Sequence, residues 1–125
     1  VRARIVCTGS VGDVRHFLRR ADAYLLTSRY EGTPIGTLEA FEAGLPIILS
    51  NFDGAEALVR QHPLGIVLDF DTLPDAAEKI EQLVRKARNS DEDFSNQARQ
   101  VWEKEWSPQV FKERSRRLLK SFLQQ

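Results

Sequence analysis

Four short apolar runs punctuate the chain, and helix-length spacers separate them: Ile5–Thr8, Ala23–Thr27, Ile47–Ser50 and Gly65–Leu68. Runs this short, with little polar alternation, suit strands buried on both faces. Strands of that kind occur where helical crossovers cover a parallel sheet from both sides. The expected fold class is therefore α/β: a Rossmann-like parallel sheet of about four strands, helices on both faces, and a helical C-terminal tail.

The spacers support this order. Val14, Phe17 and Leu18 recur at helical spacing and predict a helix over Val11–Arg20. Thr37–Ala43 reads as a short helix stopped by Gly44, the residue that most readily takes a left-handed cap. Pro46 then opens the third run, and a short helix at Glu56–Arg60 leads to the fourth. Beyond it, Ala76, Ile80, Leu83, Val84 and Ala87 mark an amphipathic helix over Asp75–Arg88. Phe94, Ala98, Val101 and Trp102 mark a second. Phe111, Leu118, Leu119 and Phe122 mark a third, started by Ser107-Pro108.

At 125 residues the chain is read as one domain, 1–125. It contains no Met and its first residues read as a domain interior, so we expect a piece truncated at its N-terminal side. Eighteen Lys and Arg balance 18 Asp and Glu, which argues against nucleic acid as a partner. The longest apolar run, Leu45–Leu49, is too short to span a bilayer. A single cysteine, Cys7, excludes an internal disulfide and a zinc site of its own. A reducing, cytoplasmic setting is the expectation, and Cys7 itself is expected to be a buried strand residue.

Ligands of open α/β sheets bind beyond the carboxyl ends of the strands. That points to the loops Gly9–Gly12, Ser28–Gly36 and Ser50–Gly54. The middle loop carries a carboxylate, Glu31, and a second, Glu39, follows in the first helical turns. Between them lie glycines and the exposed amides of a helix start, which suit a phosphate. Pro34 has no N–H, so the candidate donors are Gly32, Thr33, Ile35, Gly36 and Thr37. Carboxylates beside a phosphate cradle make sense when each accepts hydrogen bonds from a vicinal diol. A diphosphate flanked by two polyols, a nucleotide sugar, fits that layout.

The stretch Ser28-Arg-Tyr-Glu31-Gly-Thr-Pro-Ile-Gly-Thr-Leu-Glu39-Ala-Phe-Glu-Ala-Gly44-Leu-Pro46-Ile resembles the Glu-x7-Glu signature of the family 4 retaining glycosyltransferases. These are GT-B enzymes of the "glycosyl transferases group 1" type, and the match is to their C-terminal, donor-binding lobe. Val6-Cys-Thr-Gly9-Ser-Val, Ala21-Asp22-Ala23-Tyr24, the Gly54 loop, Leu64-Gly65-Ile-Val-Leu and Glu105-Trp106-Ser107 extend the resemblance over nearly the whole chain. It implies a partial GT-B lobe that takes part in transferring a hexose from a nucleotide-diphosphate sugar to an acceptor hydroxyl, with retention, in glycan or polysaccharide synthesis. It places Glu31 in the catalytic centre on the hydroxyls of the donor sugar. Glu39 would hold the ribose, and Gly32, Thr33, Ile35, Gly36 and Thr37 the sugar and distal phosphate. No metal or other cofactor is implied, since basic side chains neutralise the diphosphate in such enzymes.

The departures also carry expectations. The family's Arg and Lys for the diphosphate lie upstream, and that segment and the acceptor lobe are the parts this chain lacks, so on its own it is expected to be inactive. Gly54 and Glu56 sit one residue closer than in the family. Glu42, where the family has a small residue, lies three positions after Glu39 and is expected to raise the affinity of that site for protons. Two family strands between Ile5 and Leu25 are absent, so either these two pair directly or the sheet has unpaired edges open to self-association. His16 reads as an exposed helix residue, His62 as a loop residue, and Trp102 and Trp106 as core packing. The basic, amphipathic Lys112–Lys120 reads as a solvated helix end, the alternative being peripheral contact with an anionic inner membrane surface. The functional alternative is a non-catalytic nucleotide-binding or protein-interaction α/β module.

Overall fold

The computed structural model describes residues 4–70, 73–89 and 93–124. Its elements run α1 (Arg15–Leu18), β1 (Tyr24–Leu26), α2 (Ile35–Ala43), β2 (Ile47–Ser50), α3 (Ala55–Gln61), β3 (Gly65–Leu68), α4 (Leu73–Asn89), α5 (Phe94–Glu105) and α6 (Pro108–Leu123). The three strands form a parallel sheet in the order β1-β2-β3, with Tyr24 beside Ile47 and Ile47 beside Gly65.

The central strand explains the layering. All four residues of β2 are buried, and successive side chains leave opposite faces. Ile47 and Leu49 join Leu18, Phe41, Leu45 and Phe52 under α1, α2, α3 and α5. Ile48 joins Leu64, Leu68, Ala76 and Leu83 under α4. Helices therefore cover both faces, as the apolar runs predict. The cover stops short of β1, where Leu25 is 50% exposed.

The run Ile5–Thr8 is not a strand. It makes no ladder with β1, and Ile5 and Val6 are 88% and 79% exposed. Of the two arrangements open to the sequence, the sheet keeps an uncovered β1 edge rather than pairing the two runs. A strand exists through its neighbour's hydrogen bonds, and an apolar run without a neighbour has none to make. Cys7 is correspondingly exposed, not buried. The first helix is also shorter than its periodicity predicts. α1 starts at Arg15, one turn later than expected, with Val14 as its N-cap and no side-chain cap, and Asp13 Oδ1 accepts from the Arg15 amide at 3.0 Å just before it.

Gly44 ends α2 in the left-handed conformation (φ 74°) and does more than stop a helix. A Cβ there would lie 2.8 Å from Ser95 O and 2.9 Å from Ser95 Cα, so its absence lets α5 close on α2. Ser95 Oγ donates to Gly44 O at 2.9 Å across this contact. Trp102 packs in the same core, as its spacing predicts. On α6 no residue is buried, and Phe111, Leu118, Leu119, Phe122 and Leu123 are all exposed. Among the described residues no helix is long and apolar enough to cross a membrane.

Candidate functional site

α2 starts at Ile35, two residues earlier than the sequence predicts, with Pro34 as its N-cap and no side-chain cap. Proline fixes φ and needs no amide partner, so it suits a helix start. The early start decides which amides remain to meet a ligand. Ile35 N–H donates to Thr33 O at 2.9 Å and Thr37 N–H to Pro34 O at 2.9 Å. Two of the five expected donors are thus engaged within the chain. Gly32, Thr33 and Gly36 make no such backbone bond among the described residues.

Glu31 and Glu39 are both half-buried, Glu39 in the second turn of α2 rather than its first. Gly32 and Thr33 are exposed between them, Gly36 is partly covered, and Ile35 is 61% exposed. The sequence-based list is therefore brought together around one helix N-terminus, with one difference. Thr37 is fully buried, so its side chain faces the core and not the ligand side.

What holds this helix start is Tyr24, which sequence reasoning assigns only to a strand. Its hydroxyl lies over Gly36: a Cβ on Gly36 would meet Tyr24 Oη at 2.6 Å. Burial pushes the Tyr24 phenol above its usual range, a hydrogen-bonding contact with Thr37 pulls it back, and the charges of Glu31 and Glu39 push it up again. The Tyr24 phenol thus feels both carboxylates of the motif. Thr37 Oγ1 itself finds no well-aligned partner among the described residues. The one sequence signal for this contact was a glycine inside the first helical turn, which marks a close approach.

Several hollows adjoin the motif among the described residues. The largest, about 560 Å³, lies over the carboxyl ends of the strands and is lined by Thr27–Arg29, Ser50–Asn51 and Leu68–Phe70. Ser50 Oγ donates to Ser28 O and ties two of these ends together. A second hollow of about 240 Å³ runs between Gly32–Pro34, Phe52–Gly54 and Trp106. Trp106 is half-buried there, at the edge of the motif loop rather than in either apolar core. Two more adjoin Glu39: Arg15 and Glu42 line both, Arg19 and Arg99 the smaller, and the loop Val11–Val14 the larger. Glu42 does share the surroundings of Glu39, as its spacing predicts.

The remaining candidates lie elsewhere. His16 is exposed on α1. His62, expected in an ordinary loop, is buried at the end of α3 with 7% exposure. Its Nδ1 accepts from the Leu64 amide at 2.9 Å, and its ring meets Phe41 edge-on at 4.4 Å. Glu56 is exposed. Among the described residues no group of three His, Cys, Asp or Glu side chains could hold a metal ion.

Residues 1–101 match the family described as glycosyl transferases group 1. The chain is 34% identical over 73 residues to a UDP-Gal:alpha-D-GlcNAc-diphosphoundecaprenol alpha-1,3-galactosyltransferase of Escherichia coli, covering 58% of this chain and 19% of that protein. It is 28% identical over 93 residues to a GDP-mannose:cellobiosyl-diphosphopolyprenol alpha-mannosyltransferase of Xanthomonas oryzae pv. oryzae (strain PXO99A), covering 74% and 24%. A lipopolysaccharide core biosynthesis glycosyltransferase of Rhizobium meliloti (strain 1021) is 29% identical over 86 residues, covering 67% and 25%. The chain thus spans about a fifth to a quarter of the length of these relatives. No solved structure matches it.

Proposed function

Because this chain belongs to the group 1 glycosyltransferases, whose family match spans residues 1–101, we propose that it is the donor-binding part of an enzyme that moves a hexose from a nucleotide-diphosphate sugar to an acceptor hydroxyl with retention of configuration. The observation that carries this is the start of α2, where Glu31, Glu39 and the amides of Gly32, Thr33 and Gly36 gather at one N-terminus.

In this reading Glu39 accepts hydrogen bonds from the ribose diol, and Glu31 accepts from hydroxyls of the transferred sugar. The amides of Gly32, Thr33 and Gly36, aided by the helix dipole, face the sugar and distal phosphate. As the sugar–phosphate bond breaks, charge grows on the departing diphosphate, and fixed N–H donors stabilise it more in the transition state than in the ground state. Ile35 and Thr37 serve through structure, their amides being engaged within the turn. The acceptor and the remaining diphosphate contacts belong to parts of a longer polypeptide, so this chain alone binds donor without turning it over. The relatives' names point to polysaccharide or lipopolysaccharide synthesis as its setting.

Calorimetric titration with UDP, GDP and ADP and their hexose conjugates, repeated on Glu39→Gln, tests this. Saturable binding of one nucleotide, weakened at least about tenfold by the substitution, is expected, since a hydrogen bond to a charged group contributes about 1.5–3 kcal/mol. Binding that ignores the substitution would remove Glu39 from the ribose. A folded chain that binds none of the six would overturn the donor reading.

A further inference from the structure

Trp106 belongs to neither apolar core, although its spacing predicts core packing. It is half-buried at the C-cap of α5, where its amide donates to Trp102 O at 2.8 Å. Its Nε1 is buried yet finds no acceptor among the described residues, a costly arrangement for an indole N–H. The corner between α5 and α6 does not depend on the ring. Ser107 Oγ donates to Glu103 O at 2.9 Å and accepts from the Val110 amide at 3.4 Å. Arg114 donates to Glu105 O at 3.0 Å and to Glu105 Oε2 at 2.6 Å. Core packing, hydrogen bonding and the turn therefore all leave this indole unexplained.

The ring lines the hollow of about 240 Å³ beside the motif loop. Trp106, Pro34 and Leu58 give that hollow apolar surface, and Thr33, Asp53 and Gln61 give it polar groups. The side chains of Thr33, Asp53 and Gln61 make no hydrogen bond or ion pair among the described residues, so their donors and acceptors remain for an occupant. No Lys or Arg lines the hollow, and its one charge is a carboxylate. That disfavours a phosphate and suits a neutral polyol. A pyranose ring has the matching chemistry: a face of C–H groups for an indole, and an edge of hydroxyls for carboxylate, amide and hydroxyl partners. The size suits one ring, since sites for whole drug-sized ligands run at about 300–1,000 Å³. The hollows beside Glu39 share no lining residue with this one, so the nucleoside end of the site lies apart from it.

We propose that this hollow is a subsite for a pyranose ring, stacked on Trp106 and hydrogen-bonded by Asp53 and Gln61. The inference rests on the donor reading of the motif, because Gly32 and Thr33, assigned there to the sugar and distal phosphate, line the same hollow. It also goes beyond the family match, which ends at residue 101. The ring is either the hexose carried by the nucleotide or a sugar of the acceptor, and both present the same face and hydroxyls. Trp106 supplies the surface that orients the ring, and Asp53 and Gln61 select among its hydroxyls.

The test is proton NMR and calorimetry on the full 125-residue chain and its Trp106→Phe, Trp106→Ala and Asp53→Asn variants. The probes are UDP, GDP and ADP, their hexose conjugates, and the methyl pyranosides of glucose, galactose and mannose with and without nucleotide. Ring protons of the bound pyranose should move upfield, as C–H groups over an indole face do. Trp106→Phe should keep that shift. Trp106→Ala should abolish it and weaken the same ligand about fivefold, with free-nucleotide affinity held within about twofold. Asp53→Asn, an exposed change that leaves the core alone, should weaken that ligand about threefold. Shifts in the conjugate place the donor's hexose in the hollow, and shifts in the pyranoside alone place a sugar of the acceptor there. Pyranose protons that stay still in every arm, or base protons that move in their place, would overturn the proposal. So would equal losses of nucleotide and conjugate in Trp106→Ala with Asp53→Asn silent, the mark of a structural role. Failure of the donor reading looks different: Glu39→Gln leaves nucleotide affinity unchanged, or no nucleotide binds, while the pyranoside arm still reports on Trp106.

Discussion

His62 is the buried group whose protonation the fold opposes most clearly. It is 7% exposed, its Nδ1 is committed to the Leu64 amide, and its Nε2 finds no well-aligned partner. Burial pushes its pKa from 6.5 down to about 4. The unfolded chain therefore takes up a proton near pH 6.5 that the folded chain refuses until about pH 4, and stability must fall as pH falls through that window. From the two pKa values the loss is about 2 kcal/mol between pH 7.5 and pH 5, and about 3 kcal/mol by pH 4. Against the roughly 6–19 kcal/mol expected for a domain of this length, that is a large share. Urea unfolding followed by the fluorescence of Trp102 and Trp106, at pH 7.5, 6 and 5, measures it. His62→Asn keeps an acceptor near the Leu64 amide and cannot titrate, so it isolates this contribution from the carboxylates that titrate lower. The variant should be less stable at pH 7.5 but show a flatter decline to pH 5, by about 2 kcal/mol. Parallel declines in the two proteins would refute the claim that burial of His62 sets this dependence.

Other substitutions probe the same framework. Gly44→Ala, placed at φ 74° and against the Ser95 backbone, should cost about 2 kcal/mol or more in urea unfolding, well above an ordinary glycine-to-alanine change. Gly36→Ala should cost about 1–3 kcal/mol by pressing a methyl into Tyr24 Oη, and Tyr24→Phe should recover much of that loss in the double variant. Glu31→Gln should leave affinity for a free nucleotide within about twofold while weakening its hexose conjugate about tenfold in the same calorimetric assay. An equal loss for both ligands would move Glu31 away from the sugar.

Much of this architecture was legible in the chain. β2 and β3 fall where their apolar runs predict, and α2 to α6 follow their helical spacing, because Gly44, Pro46, Gly54 and Ser107-Pro108 punctuate them with residues of restricted or special geometry. Ile5–Thr8 misled for a physical reason: a run can be as apolar as a strand and still lack one, since the ladder is a property of two segments. The burial of His62 was equally invisible, for it arises from Phe41, twenty-one positions earlier, lying edge-on to its ring. The motif loop announced Glu31 and Glu39, but its supports did not announce themselves. Tyr24 reaches α2 from a neighbouring strand, and only the small residue at position 36 hinted that something must approach there.

Both carboxylates hang from one helix, yet the fold holds them differently. α2 is fixed by close contacts at its two ends: Tyr24 Oη against Gly36, and the Ser95 backbone against Gly44. Between these, Thr37, Ala40 and Phe41 are fully buried, so the helix cannot slide without opening a gap in a close-packed core. Glu39 inherits that rigidity, since its Cα belongs to the buried segment and its neighbours Arg15 and Glu42 sit on packed helices. Glu31 does not. It precedes the helix on a loop whose Gly32 and Thr33 are exposed, and a Cβ on Gly32 would meet nothing within 4 Å. Under the proposed function, a rigid contact for the invariant part of a nucleotide sugar and an adaptable one for its variable sugar would divide the work of recognition. Preorganisation at Glu39 would then lower the ordering cost of binding the nucleotide, leaving the contact energy of the sugar to go toward ordering the loop around the bond that breaks.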